Sequence, residues 1–245
     1  MISCGFFVHI LYVNLNFFNL SLYAIIVAGG SGSRMQTSIP KQFIKIGQLP
    51  VLMHTILRFH SFSPELIIIL VLPEQEMPAW KNLCKEYNFN IPVQIVPGGV
   101  TRFHSVQNGL AAIPGDDGMV AVHDGVRPFV SLQTIRESFE VASDKGCAVA
   151  VVPLKDSVRA VNEAGNTFSV DRNTLRLVQT PQTFRLSLLK ESYARAENAS
   201  LFTDDASVAE KAGYPIFLIP GSYQNIKITT PEDLIWAESL LSLKQ

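Results

Sequence analysis

Tyr23-Ala24-Ile25-Ile26-Val27-Ala28-Gly29-Gly30-Ser31-Gly32-Ser33-Arg34-Met35, followed closely by Pro40-Lys41-Gln42, decides how the rest of the chain reads. The apolar run has the composition of a buried β-strand, and it stops abruptly in three glycines within four residues. Glycine lets the backbone approach a ligand closely and turn its N–H groups inward, where they can cradle phosphate oxygens. Arg34 and Lys41 then bring full positive charge beside that cradle. The stretch therefore points to a phosphate-rich nucleotide. Two better-known glycine loops fail on spacing. A Walker A loop needs Gly-Lys-Ser/Thr, whereas Lys41 follows Pro40. A dinucleotide fingerprint needs glycine or alanine three residues after Gly32, and Met35 stands there.

Outward from the loop, short apolar runs alternate with longer amphipathic stretches, the pattern of βαβ units and a mostly parallel sheet. Strands are expected over Tyr23–Ala28, Leu66–Leu72, Val93–Val96, Met119–His123 and Cys147–Val152, and shorter ones over Ile216–Ile219 and Ile226–Ile228. The Leu66–Leu72 run is β-branched and unbroken, as for a central strand covered on both faces. Helices are expected over Val51–Phe59, Gln75–Tyr87, Arg102–Ile113, Leu132–Ala142, Arg185–Asn198 and Asp204–Ala212. A last helix opens at Pro231, with Thr230 as N-cap and Glu232 and Asp233 at its positive end. Residues 153–176 break the rhythm: alternating pieces around Ser157–Val161 and Thr167–Val170, joined by a glycine-containing turn, read as a projecting hairpin arm. One domain over residues 23–245 is expected, preceded by an apolar extension over 1–22.

With 47% apolar residues the 245-residue chain can bury a sizeable core, and its formal net charge of −1 argues against broad binding of nucleic acid. An anion site must then be local, built by a few convergent basic groups. The three cysteines show no metal spacing and read as reduced thiols of a cytoplasmic protein. The extension lacks the basic start of a secretory signal, and Asn14, Asn16 and Asn19 interrupt it as a membrane span.

Further clusters carry chemistry. Gly98-Gly99-Val100-Thr101-Arg102-Phe103-His104-Ser105 is a glycine turn entering a helix, with Arg102 and Ser105 on one face; it suits a base or ribose edge and equally an ordinary helix start. In His123-Asp124-Gly125-Val126-Arg127-Pro128, at the end of a strand, Asp124 is placed to meet a cation such as Mg²⁺ shared with phosphates. Arg127 would answer a carboxylate or phosphate, and His123 reads more readily as a structural histidine. Ser169-Val170-Asp171-Arg172-Asn173 follows the hairpin, with Thr180-Pro181-Gln182 beyond it. Lys227, between Ile226 and Ile228, reads as an outward edge residue or as one more cation of a phosphate site.

Together these segments resemble the 2-C-methyl-D-erythritol 4-phosphate cytidylyltransferase family over about Tyr23–Leu241. The resemblance implies a Rossmann-like α/β nucleotidyltransferase that transfers a cytidylyl group from CTP to methylerythritol phosphate and releases pyrophosphate. It implies that Arg34 and Lys41 stabilise the transition state at the α-phosphate, and that Arg172 and Lys227 hold the acceptor phosphate. Ala28, Gly29, Gly30, Gly32, Gly99, Arg102 and Ser105 resemble the CTP-binding elements. Asp124 resembles the Mg²⁺-facing residue, and Arg127, Asp156, Ser157 and Thr180 are expected on the acceptor side. Asp156-Ser157 stands where the family pattern usually has Asp-Thr, and Gly125 where alanine is common. The hairpin resembles an arm exchanged in a homodimer, so that Arg172 would serve the partner's site. A related acceptor, ribitol 5-phosphate, is the alternative substrate. No Ser-His-Asp or Cys-His device is present or needed, because the acceptor brings its own phosphate nucleophile.

Overall fold

The computed structural model describes residues 20–29, 35 and 39–243. Eleven strands and seven helices follow the expected alternation among them: β1 Leu22–Val27, β2 Lys45–Ile46, β3 Leu49–Pro50, α1 Val51–Phe62, β4 Ile67–Leu72, α2 Met77–Glu86, β5 Gln94–Pro97, α3 Arg102–Ala111, β6 Met119–Asp124, α4 Leu132–Lys145, β7 Cys147–Pro153, β8 Val158–Val161, β9 Thr167–Val170, β10 Arg176–Arg185, α5 Leu186–Arg195, α6 Asp205–Lys211, β11 Leu218–Pro220 and α7 Pro231–Ser242. Seven strands form one sheet in the order β11-β7-β10-β6-β1-β4-β5. Pairs β1–β4, β1–β6, β4–β5 and β7–β11 are parallel; β10 runs antiparallel between β6 and β7.

Alternation along the strands splits the core into two layers. On one face Ala24, Ile26, Ile68 and Leu70 pack with Leu52, Ile56 and Phe59 of α1, Trp80 of α2, and Ile135 and Phe139 of α4. On the other, Ile25, Ile69, Val71 and Val122 meet Phe103, Val106 and Leu110 of α3, Leu189 and Tyr193 of α5, and Val208 of α6. β4 is covered on both faces, as its unbroken apolar run requires, but β6 rather than β4 is the middle strand. Caps fix where helices start. Thr101, Ser131 and Asp204 accept backbone N–H bonds from His104, Thr134 and Ser207. At α7 the Asp233 carboxylate accepts from the N–H groups of Thr229 and Thr230 at 2.7 and 2.9 Å, which supports the start expected at Pro231.

The structure departs from the expectations in three places. β10 has no counterpart among the expected strands, and it carries Pro181, which a strand interior disfavours. Here Val178 pairs with Val151 and Gln182 with Val149, so Gln179, Thr180 and Pro181 leave the ladder together. Ile226–Ile228 is not a strand: Ile228 N–H bonds to Val126 O at 2.9 Å, and its side chain packs into the cluster under α7. Leu22, assigned to the extension, already pairs with Met119 in β1, whereas residues 1–19 lie outside the described residues. The hairpin stands as expected: β8 and β9 pair only with each other and are largely exposed.

α3 approaches the sheet closely because Gly109 has no side chain; a Cβ there would lie 2.8 Å from Ile25 Cγ2. Gly109→Ala gains about 1 kcal/mol of helix propensity but overpacks this contact by about 1–3 kcal/mol. A lower urea unfolding midpoint with an unchanged slope is expected; an equal or higher midpoint would contradict the tight seating of α3.

Candidate active site

Parallel strands end at a common rim, and in such sheets ligands sit outside their carboxyl ends. Ala28 and Gly29 leave β1 there, Gly98 and Gly99 leave β5, and Asp124 ends β6. Ala28 N–H bonds to Val71 O at 2.9 Å, while its carbonyl accepts from Gln42 Nε2 at 2.8 Å. Gln42 is fully buried and also donates to Glu76, so it ties the glycine turn to the segment after β4. Ser105 Oγ accepts the Gly99 N–H at 3.1 Å and donates to Thr101 O at 3.0 Å. Gly99 cannot be larger, since a Cβ would meet His104 Cβ at 2.3 Å.

Two adjoining pockets open on this rim. The first, of about 220 Å³, is lined by Ala28, Gly29, Lys41, Gln42, Gly99, Arg102, Ser105, Asp124 and Lys227. The second, of about 260 Å³, is lined by Arg102, Asp124, Arg127, Gln179, Thr180, Thr203, Asp204 and Lys227. Arg102, Asp124 and Lys227 line both.

Asp124 is the hinge between them. Its carboxylate lies 3.0 Å from Arg127 Nε, 3.1 Å from Lys227 Nζ and 3.7 Å from Arg102 Nε. Burial alone would raise its pKa, but the three cations outweigh burial and hold it far below the usual carboxylate range. Burial likewise works against charge on Arg102, but Asp205 and Asp124 keep it more firmly protonated than an ordinary arginine. His123, just before Asp124, is fully buried and pushed down to about 4, chiefly by burial. Its ring is therefore neutral, and its neighbours fix the tautomer. Nε2–H donates to Arg127 O at 3.1 Å, Thr180 Oγ1 donates to Nδ1 at 3.0 Å, and the same Oγ1 accepts from Asp124 N–H at 3.1 Å. His123 is the structural histidine expected, and its partners are site residues.

The expected residues divide three ways. Ala28, Gly29, Lys41, Gly99, Arg102, Ser105, Asp124, Arg127, Thr180 and Lys227 gather at the two pockets. Gly30, Gly32 and Arg34 lie outside the described residues. Asp156, Ser157 and Arg172 are exposed and line neither pocket of this chain; Arg172 donates to Lys155 O at the base of the hairpin. The reason is topological: the hairpin pairs only with itself and carries these residues off the sheet. Thr180 lines the second pocket, but its proton is committed to His123, so it can only accept from a ligand. Gln42, Gln179, Thr203 and the Asp204-Asp205 pair were missed. The two adjacent carboxylates at a helix start were the available signal; Gln179 and Thr203 gave none.

Among the described residues no group of three or more His, Cys, Asp or Glu side chains could hold a metal ion. Asp124 is a single carboxylate. Mg²⁺ commonly takes one or two carboxylates and completes its shell with substrate phosphates and water, so the residues fit a cation only if it arrives with a polyphosphate.

The chain matches the 2-C-methyl-D-erythritol 4-phosphate cytidylyltransferase family over residues 22–243. It belongs to that family. Cytidylyltransferases of this name from Bacteroides thetaiotaomicron and Bacteroides fragilis are 48% and 49% identical, each match covering 89% of this chain and 98% of the relative. The cytidylyltransferase of Thermus thermophilus superposes with a TM-score of 0.75 at 32% identity, covering 91% of this chain and 100% of that one. The 4-diphosphocytidyl-2C-methyl-D-erythritol synthase of Anaerococcus prevotii superposes with a TM-score of 0.78 at 28% identity, covering 91% and 99%. The mostly parallel α/β sheet expected from the βαβ rhythm, and the cytidylyltransferase family implied by the resemblance, are thus both observed.

The buried ionisable groups set a pH dependence. An unfolded histidine binds a proton near its ordinary 6.5, whereas native His123 resists down to about 4. Between these values the unfolded chain holds more protons, so stability falls as pH falls. Asp124, with its pKa depressed, adds stability above about 3.8 that is lost at lower pH. Urea unfolding is expected to show a midpoint that declines from pH 6.5 towards 4, with a shallower decline in His123→Gln. A decline of equal slope in the variant would remove His123 as its source.

Proposed function

We propose that this protein transfers the cytidylyl group of CTP to 2-C-methyl-D-erythritol 4-phosphate, a step of isoprenoid precursor synthesis. The observation that carries this is the pair of pockets meeting at Arg102, Asp124 and Lys227, in a chain of this cytidylyltransferase family. The first pocket takes CTP and the second takes the polyol phosphate. A phosphate oxygen of the acceptor attacks the α-phosphorus, a new P–O bond forms, and the bond to the β-phosphate oxygen breaks to release pyrophosphate. The residues supply no nucleophile. Lys41 and Arg34 stabilise charge at the α-phosphate, and Lys227 orients the acceptor phosphate, so catalysis is positioning plus charge stabilisation. Asp124 would hold Mg²⁺ delivered with the triphosphate, and the cation would neutralise charge on the leaving pyrophosphate. Ribitol 5-phosphate remains the second acceptor to assay, although the relatives' names favour methylerythritol phosphate.

The protein works as a cytoplasmic homodimer whose hairpin arm delivers Arg172, Asp156 and Ser157 to the partner's acceptor pocket. That these three residues line neither pocket of this chain, and that the apolar Leu177 at the root of the arm is exposed, supports that reading. Two described cysteines, Cys84 and Cys147, are free thiols, and no helix among the described residues is long and apolar enough to cross a membrane.

Pyrophosphate release should require CTP and methylerythritol phosphate together. No turnover by folded protein with Mg²⁺, or equal turnover with ribitol 5-phosphate, would overturn the assignment. Lys227→Ala should lower the rate by about 10²–10³, the scale of losing one preorganised donor to a developing charge. Mixing inactive Arg172→Ala and Lys227→Ala proteins should restore partial activity, because a mixed dimer keeps one intact site; no recovery after subunit exchange would show that Arg172 acts within its own chain or not at all.

A further inference from the structure

Beside the two pockets lies a buried polar chain that the reaction as described leaves without a role. Asp205, the first residue of α6, is fully buried. One carboxylate oxygen accepts from Tyr193 Oη at 2.7 Å and the other from Arg102 Nη2 at 2.7 Å. Tyr193 is itself fixed, stacked at 4.6 Å on Phe103, the residue after Arg102. Asp204 serves elsewhere: its oxygens accept from Ser207 N–H, capping α6, and from Gln182 Nε2, at 2.9 Å each.

We propose that Asp205, anchored by Tyr193, is a positioning residue that holds the Arg102 guanidinium astride the nucleotide and acceptor pockets, and that CTP binding and turnover depend on that hold. The inference rests on the cytidylyltransferase reading and deepens it. Two buried carboxylates divide three cations here. Arg102 sits 2.7 Å from Asp205 and 3.7 Å from Asp124, whereas Arg127 and Lys227 sit within 3.1 Å of Asp124. Without the Asp205 charge, the guanidinium is still paired with the Asp124 carboxylate. It closes on Asp124, competes there with Lys227, and withdraws from its place between the pockets. Asp205 therefore acts on both substrates through the arrangement of Arg102 and Lys227, without touching either substrate. A buried pair of this kind is costly to break at one end, so a loss of activity by itself would not separate positioning from folding.

The test is a double-mutant cycle on the full chain, reading pyrophosphate release and, separately, CTP affinity by calorimetry. Asp205→Asn should lower kcat/KM by about 10- to 100-fold, the range seen when an outer partner is removed or a reacting group drifts by an ångström, and should weaken CTP. Arg102→Gln should lose at least as much. The double variant should be no worse than Arg102→Gln alone, because Asp205 acts only through Arg102. Tyr193→Phe removes one hydroxyl, leaves the fold intact, and should lower kcat/KM in the same direction by about 2- to 10-fold, the scale of one hydrogen bond. It decides the matter if Asp205→Asn does not fold. Losses that multiply in the double variant, or wild-type kinetics and CTP affinity in Asp205→Asn or Tyr193→Phe, would overturn the inference. If the wild-type protein releases no pyrophosphate, the cytidylyltransferase reading fails by itself and the CTP-affinity cycle still decides the role of Asp205.

Discussion

One buried carboxylate governs this molecule. Asp124 ends the middle strand of the sheet, where burial leaves water little access to its charge, and an unpaired charge in such a place is not sustainable. Its compensation comes from three directions: Arg102 from the first turn of α3, Arg127 from the loop after β6, and Lys227 from the segment before α7. The same convergence that neutralises Asp124 builds a positive rim at the open end of the sheet. Binding of a polyphosphate and stability of the fold thus draw on one set of contacts.

Around that charge the hydrogen bonds leave little choice. Neutral His123 ties the Arg127 carbonyl to the Thr180 hydroxyl, and Thr180 returns a bond to Asp124 N–H. The loop after β6 and the irregular stretch of β10 are thereby locked to each other. A site that works by placing fixed charges around a reacting phosphate needs rigidity of this kind more than it needs a nucleophile.

Much of the fold was legible because its signals are local. Apolar runs such as Ile68–Leu72 and Val120–Val122 read as strands buried on both faces, and Thr230 before Pro231 marks the start of the last helix. The glycines at 29 and 99, Lys41 and Asp124 announced the nucleotide side for the same reason. What escaped depends on contacts far apart in the chain. β10 was not expected; it carries Pro181, which the ladder tolerates because three residues leave it together. The segment around Lys227 looked like a short strand, yet one bond to Val126 and the cluster under α7 hold it instead, while Lys227 itself lines both pockets as expected. Asp205 looked like an ordinary residue of a helix start, since nothing nearby in sequence reveals that Arg102, 103 positions away, closes on it. Arg172, expected on the acceptor side, is exposed at the base of the hairpin and lines neither pocket of this chain, because β8 and β9 pair only with each other.

The placement of Lys227 so late in the chain has a consequence for synthesis. The strand that pairs with β6 on its parallel side, β1, is complete once residue 124 has emerged, but the antiparallel neighbour β10 comes only with residues 176–185 and the Lys227 cation later still, beyond β11. Until Lys227 joins, Asp124 at the rim has only Arg102 and Arg127 beside it, so the full set of counter-charges is completed by nearly the last segment of the chain to be made.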